Sequence, residues 1–498
     1  MEDHSYDGYC DGDDDDDSAV ATWNLRKCSA LALDNLAATF GDDILPIVMP
    51  VIQARLVEPG WQARESATLA LGAIGMGCEG LGQHTVDIAN ALLGQISNPN
   101  AVDGGATPQQ EPQQHPLLIA ITCWTLSRFV RPLAQVSIDN GAAGRKLFDS
   151  VFSSILAQMN HHHPKVQGAA TSAVATFVED VDFQLMLQVL DPTINAVSHC
   201  LGWYQGKNEL LLYDTIVAVT DKVWKSESPF LLQQDQQNGT NKYDQLVLLP
   251  LVQSLLSTKD LGDVLFLNLA QSLALIVAPF GPLVEKYAPG IVQFALAALK
   301  AQMELKASQQ QQQSKNYEPK CVAVVLELVC SIAQIDQTYL MKPELSATTT
   351  PELLSGLGVL CLDESPDIRQ STFSLFSSFV SAWHPHPHVQ VVMPAVLSAA
   401  TKTMSAFALK RGTHAPFGAG AAEVWAVNNA CWLLSQVAHH FPHALDAMPV
   451  PPSEGNRSPN GAGSTSCALV RQCAPVLERT AGYPRPLVEN VAILIGTL

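Results

Sequence analysis

Alternating β-branched runs joined by Asn-Gly hairpins are nearly absent from this chain, so a β-sheet is not its framework. Aromatic residues make up only 7% and charged residues only 15% of the 498 positions, against 47% hydrophobic ones. A chain rich in Leu, Val, Ile and Ala but poor in large rings suits many small interfaces better than one central core, and this length exceeds what a single core serves. Basic residues are also scarce, 28 against 47 acids, for a net charge of −19. No Lys/Arg cluster tracks a phosphate backbone, which argues against direct nucleic-acid binding and for a basic partner. Walker loops, G-x-G-x-x-G after a strand, G-x-S-x-G and H-E-x-x-H are all missing, so no enzyme activity and no cofactor are expected. There is no C-x-x-C. The cysteines number eleven, and those such as Cys28, Cys78, Cys123 and Cys431 lie in apolar helical stretches, which reads as reduced core thiols of a cytosolic or nuclear protein. The start lacks the apolar run of a signal peptide. The most apolar stretch, Val264 to Phe280, is interrupted by Asn268 and Gln271 and is short for a bilayer, so a buried helix is expected and no membrane segment.

What is present is a repeated grammar of helix starts. Trp23-Asn-Leu-Arg26 and Trp61-Gln-Ala-Arg64 open apolar helices about 40 residues apart, and His163-Pro-Lys-Val166 and Ser365-Pro-Asp-Ile368 open others in the same way. Apolar residues at i, i+3, i+4 and i+7 follow each. Further helices are expected at Asp42–Val57, Gly144–Met159, Tyr243–Ser257 and His388–Thr403, with internal prolines at Pro46, Pro250 and Pro394. Two helices per period of about 40 residues is the mark of HEAT-type repeats, so the fold class is all-α, a HEAT-repeat α-solenoid of about ten units spanning 22–498. Four stretches read as solvated additions: the acidic segment 1–21 with its run Asp13 to Asp17, and insertions at 98–115, 307–316 and 451–466. Neither end carries a polar capping repeat, which suggests an internal portion of a longer array.

Candidate site residues fall on the second helix of each pair. Leu31 and Asp34 are three apart, as are Thr176 and Glu179; Ile121, Trp124 and Arg128 share one stripe; Asp214 and Asp221 lie two turns apart. Stacked along the face that a curved solenoid turns inward, they would form an aromatic, apolar patch followed by carboxylates. That surface suits an extended peptide with apolar residues at one end and Arg or Lys further along. Core packing for the apolar members and a wet helix face for the acids explain the same spacings. The histidine groups His161–His163 and His384/His386/His388 read as inter-helix turns rather than metal ligands.

Six stretches carry a family resemblance, in order along the chain: Trp23-Asn-Leu-Arg-Lys-Cys-Ser-Ala30 after the Asp run, Ile121-Thr-Cys-Trp-Thr-Leu-Ser-Arg128, Leu212-Tyr-Asp214, Pro366-Asp-Ile-Arg-Gln-Ser371, Asn428-Asn-Ala-Cys-Trp432 and Glu489-Asn-Val-Ala-Ile493. In these the chain resembles the transportin (karyopherin-β2) branch of the importin-β family. The resemblance implies a nuclear import receptor, monomeric, shuttling between cytoplasm and nucleus through nucleoporins. It implies recognition of proline-tyrosine nuclear localisation signals on cargo proteins, often RNA-binding ones, and release by Ran-GTP, here with the family's main Ran-contacting repeats missing. By resemblance, Leu31, Asp34, Leu69, Ile121, Trp124 and Arg128 would surround the Pro-Tyr end. Ala169, Thr176, Glu179, Asp214 and Asp221 would face the central basic residues, and Glu327, Val424, Asn429 and Trp432 the N-terminal part. The acidic start looks like the end of the acidic loop that links Ran binding to cargo release. The chain departs from the family at Leu31, where Ala is usual, at Gln334 and Gln436, where acids are usual, and around Asn268–Ala270, which lacks a glutamate. A HEAT-repeat scaffold for globular partners is the competing expectation; it would use the inter-helix turns instead.

Overall fold

Several helices of this protein start where a polar residue caps them and a proline follows. Residues 25–96, 115–226, 229–232, 240–309, 317–383, 386–410, 421–445, 465–478 and 483–498 are described by the computed structural model. The acidic segment, Trp23, His384 and most of the three expected insertions lie outside the described residues.

The chain divides into two units, Met1–Val247 and Leu248–Leu498. The first holds α1 (Leu25–Phe40), α2 (Leu45–Leu56), α3 (Trp61–Gly75), α4 (Thr85–Ile96) and α5 (Pro116–Arg128). It continues with α6 (Val130–Asp139), α7 (Gly141–Gln158), α8 (Pro164–Asp180), α9 (Phe183–Leu201) and α10 (Lys207–Lys225). The second holds α11 (Leu249–Ser257), α12 (Val264–Phe280), α13 (Ala288–Gln309), α14 (Pro319–Ile335) and the short α15 (Pro343–Ser346). Then come α16 (Thr349–Leu360), α17 (Pro366–Trp383), α18 (Pro387–Lys410), α19 (Ala421–His440), α20 (Thr465–Glu478) and α21 (Arg485–Thr497). No strand occurs among the described residues.

Within the first unit α1, α3, α5, α8 and α10 pack side by side as one row, with α2, α4, α7 and α9 against it. The second unit has the corresponding row α12, α14, α17, α19 and α21, backed by α11, α13, α16, α18 and α20. Every candidate site residue stands on one of these two rows.

The capping residues explain the register. His115, His163 and Glu318 each precede a proline, hold extended backbone and accept a hydrogen bond from the helix's first turn. Asp182 and Asp263 cap α9 and α12 in the same manner. Inside, Phe148, Phe152 and Phe177 join α7 to α8, with ring centroids 5.6–6.4 Å apart. Buried polar groups are paired across helices: Thr68 and Thr122 both donate to Gln95 Oε1, at 3.2 and 2.9 Å.

Several expectations need correction. Pro46 and Pro250 lie in the first turn of α2 and α11, where proline fits, because the segments before them are not α-helix; Pro50, Pro192, Pro279 and Pro394 lie inside helices. The insertion expected to begin at 307 is helical through Gln309, as the glutamines extend α13. Cys28 is exposed, whereas Cys78, Cys123 and Cys431 are buried. Among the described residues two helical stretches, Leu25–Leu56 and Val264–Lys286, are by length and composition long and apolar enough to cross a membrane. The second is longer than the sequence reading allowed because a 3-10 turn, Gly281–Lys286, continues α12; most of its apolar residues are buried, and few of the first stretch's are.

The histidine turns have a checkable consequence. His163 Nδ1 accepts from the Lys165 amide at 3.2 Å and His161 Nδ1 from the His163 amide at 3.0 Å, so both rings serve in their unprotonated form. Burial first, then the neighbouring cations and imidazoles, push both rings below the usual histidine range. A lowered folded-state value gives stability that is complete above the ordinary imidazole range near 6.5 and is lost as pH falls through it. The expected result is a thermal midpoint that drops between pH 7.5 and 5.5, and a shallower drop in His163→Asn, whose amide caps without titrating. Equal slopes in the two proteins would refute this role.

Candidate functional site

In the first unit three helices bring the apolar candidates together. Ile121 and Trp124 lie one turn apart on α5 and form a buried cluster with Leu118, against which Leu69 of α3 packs. Ile121 is fully buried and Trp124 only 4% exposed. The ring reaches this depth because Gly72 has no side chain: a Cβ there would stand 2.4 Å from Trp124 Cζ3. Arg128, one turn on, extends over the ring, its guanidinium carbon 5.6 Å from the centroid. It closes on Asp34 of α1, Nη2 to Oδ1 at 2.9 Å, with the arginine side chain 11% exposed and the aspartate 30%. Beside this pair Arg26 donates to Glu65. Leu31 sits one turn before Asp34 and is exposed.

The open aromatic patch expected from spacing is therefore corrected. Ile121 and Trp124 are packed core, because α3 approaches α5 closely enough at Gly72 to enclose them. Asp34 and Arg128 are the polar rim of that core. Of the two, Asp34 is the more open to solvent.

The carboxylates form a second group on α8 and α10. Ala169 is buried and Thr176 is half-buried, its hydroxyl donating to the Ser172 carbonyl at 3.1 Å. Glu179 and Asp214 are exposed, Asp221 half-buried. Desolvation first, and then the charges of Asp180, Asp214 and Asp221, push the Glu179 carboxyl above its usual range, with Lys222 pulling the other way. Those mutual effects place the acids within electrostatic reach of one another. A surface that holds like charges together gains when a cation arrives. Cations of the chain already attend it: Arg131 pairs with Asp180 at 2.8 Å and Lys225 with Asp221 at 2.6 Å.

The second unit carries the remaining candidates. Glu327 on α14 has its carboxyl pushed up by desolvation. On α19 Val424 and Asn429 are half-buried and Trp432 is 38% exposed. Asn429 donates to the Gln370 carbonyl at 3.0 Å and its own carbonyl accepts from Asn428 at 3.0 Å, so it ties α19 to α17. Asn490 of α21 donates to Asn428 at 3.0 Å. Of the two expected acids replaced by glutamine, Gln436 accepts from the Ser381 hydroxyl at 2.9 Å.

Sequence reasoning missed Trp425, exposed like Trp432 and seven residues before it, although the same i, i+7 rule finds it. It also missed Gly72, Arg131, Lys222 and Lys225, whose roles depend on contacts between helices rather than on spacing within one.

No protein-family model matches the chain. Transportin-1 of Oryza sativa subsp. japonica is 30% identical over 498 residues, 98% of this chain and 48% of that protein. Human Transportin-1 is 26% identical over 494 residues, 96% of this chain and 46% of its own length. Importin subunit beta-2 of Schizosaccharomyces pombe is 27% identical over 365 residues, 72% and 36% respectively. The chain thus spans about half the length of the curated relatives it matches. Among solved structures, a multiply substituted Kap121p superposes with a TM-score of 0.50 at 16% identity, over 98% of this chain and 48% of that one. An engineered protein does so with 0.50 at 10% identity, over 96% of both. At such identities these structures speak for the fold alone, an all-α HEAT-repeat solenoid.

Proposed function

The chain belongs to the transportin branch of the importin-β family, and from that premise we propose that it is the cargo-holding part of a nuclear import receptor for basic proline-tyrosine signals. The observation that supports this best is the order of the two groups along one row of helices. The Asp34–Arg128–Trp124–Leu69 cluster on α1, α3 and α5 is followed directly by the Glu179, Asp214 and Asp221 carboxylates on α8 and α10. An extended signal laid along that row meets an apolar, hydrogen-bonding end and then a negative surface, matching a Pro-Tyr pair preceded by Arg and Lys.

The energetic division follows from chemistry. Each exposed carboxylate–Arg pair contributes only about 0.2–1 kcal/mol, so the acids act as a set and chiefly steer the ligand. Most of the affinity must come from buried aromatic and arginine contacts. On this reading Arg128 and Asp34 exchange their mutual bond for bonds to the ligand, and the Tyr ring takes up the Trp124 face that Arg128 now lies over. Glu327, Val424, Asn429 and Trp432 serve the N-terminal part of the signal. Passage between cytoplasm and nucleus, nucleoporin contacts and release by Ran-GTP belong to the same proposal for the whole protein.

The test is fluorescence anisotropy with a labelled 20-residue peptide, three arginines followed by Pro-Tyr, and its Ala-Ala counterpart. The Pro-Tyr peptide is expected to bind at least tenfold more tightly. Equal affinity for the two would sink the proposal and leave the scaffold reading, in which these residues are indifferent.

A further inference from the structure

The acidic surface of α8 and α10 is occupied by the chain's own ammonium groups. Lys222 and Lys225 stand three residues apart in the last turn of α10, where the helix terminus favours positive charge. They do different things. Lys222 Nζ donates to the Glu179 carbonyl at 2.7 Å, satisfying one of the carbonyls left open at the end of α8. It is a structural tie between neighbouring repeats. Lys225 makes a contact of another kind: its Nζ lies 2.6 Å from Asp221 Oδ2, in a pair whose side chains are 72% and 46% exposed. Nothing in that arrangement requires Lys225 to stay.

Resting on the proposal that this surface takes the basic part of a signal, we infer that Lys225 is an internal competitor that sets how basic a ligand must be. A cation arriving at Asp221 displaces one that is already covalently at hand, so its net gain is the difference between two similar pairs. A ligand lysine offers the same point charge as Lys225 and gains little there. A ligand arginine offers a planar fork that engages both carboxylate oxygens and gains more. Lys225 thereby lowers the gain of any arriving cation by the same amount, which leaves a lysine little net gain at this position and an arginine some. Arg131 on Asp180 adds to the same screening from the neighbouring helix. Glu179 is the member of the group that a second ligand cation would serve, since Lys222 hydrogen-bonds its carbonyl and acts on its carboxylate only through charge.

The experiment uses the full chain and two labelled peptides, the three-arginine Pro-Tyr peptide and its three-lysine form. Lys225→Gln is expected to tighten both by about twofold to fivefold, the range of one exposed ion pair, and by a similar factor for each. Because the surface becomes more negative, the dependence of affinity on salt also becomes steeper. Lys225→Arg, which keeps the charge and holds Asp221 more firmly, is expected to weaken both peptides. Lys300→Gln, which removes one charge from another exposed pair, with Glu352 in the second unit, controls for net charge and is expected to change nothing. The inference is overturned if Lys225→Gln leaves both affinities unchanged while Asp221→Asn still lowers them. If Asp221→Asn also has no effect, the binding role of this surface falls together with the inference.

Discussion

Trp124→Ala is expected to destabilise the first unit by about 3–5 kcal/mol, the range for removing a large buried aromatic side chain. The size follows from the walls of the space the ring leaves. On one side stands the backbone of α3 at Gly72, which cannot move inward without carrying Thr68 and its hydrogen bond to Gln95. On another, Leu118 and Ile121 are fully buried on the same helix and have no rotamer freedom to spare. The cavity therefore persists. Arg128 also loses the ring face it lies over, while Asp34 still holds its guanidinium. Repeats of this kind are coupled mainly to their neighbours, so the damage should be local. Hydrogen exchange is expected to show amide protection in α3 and α5 reduced by roughly 10²–10³-fold, with the helices of the second unit unchanged. Unaltered protection in α5 would mean that the ring is not a core element. A binding assay on this variant alone would confuse loss of fold with loss of contact; Trp124→Phe, which keeps much of the volume, separates them.

That prediction shows where sequence reading stopped short. Spacing puts Ile121, Trp124 and Arg128 on one stripe of α5, and the folded chain packs Leu69 against that cluster and pairs Asp34 with Arg128. Spacing alone could not say whether the stripe was open, because exposure depends on how near α3 approaches, and that is decided by one glycine 52 residues away. Helix existence was legible because His163-Pro164 and Ser365-Pro366 are self-contained start signals. The exact entry of α2 and α11 was not, since Pro46 and Pro250 read equally as interior or first-turn residues until the preceding turns are known. Spacing paired Glu179 with Thr176 on α8 and Asp214 with Asp221 on α10. The acids' mutual influence on Glu179, and the lysines that temper it, arise between helices and leave no pattern within either.

Trp432→Ala is expected to do the opposite of Trp124→Ala: little to the fold, much to the ligand. The side chain is 38% exposed, and Trp425 two turns earlier and Ile493 on α21 present further apolar surface in the same unit. The helix that carries it does not depend on the ring, because Asn429 bonds to Gln370 and Asn428 to Asn490 on either side. Loss of the indole should therefore lower the thermal midpoint only slightly. An exposed tryptophan on a rigid helix gives up little conformational entropy on binding and buries a large area, which is why such residues dominate interfaces at about 2 kcal/mol or more each. For a labelled signal peptide long enough to carry its N-terminal basic or apolar part, the affinity is expected to fall about 30-fold. Asp221→Asn, which removes one exposed and already paired carboxylate, is expected to cost less than about fivefold. The ranking is the sensitive readout, since both variants keep the fold. If Asp221→Asn cost more than Trp432→Ala, the ligand would be held chiefly by charge, its affinity would collapse with added salt, and the aromatic member of the proposed site would have to be given up.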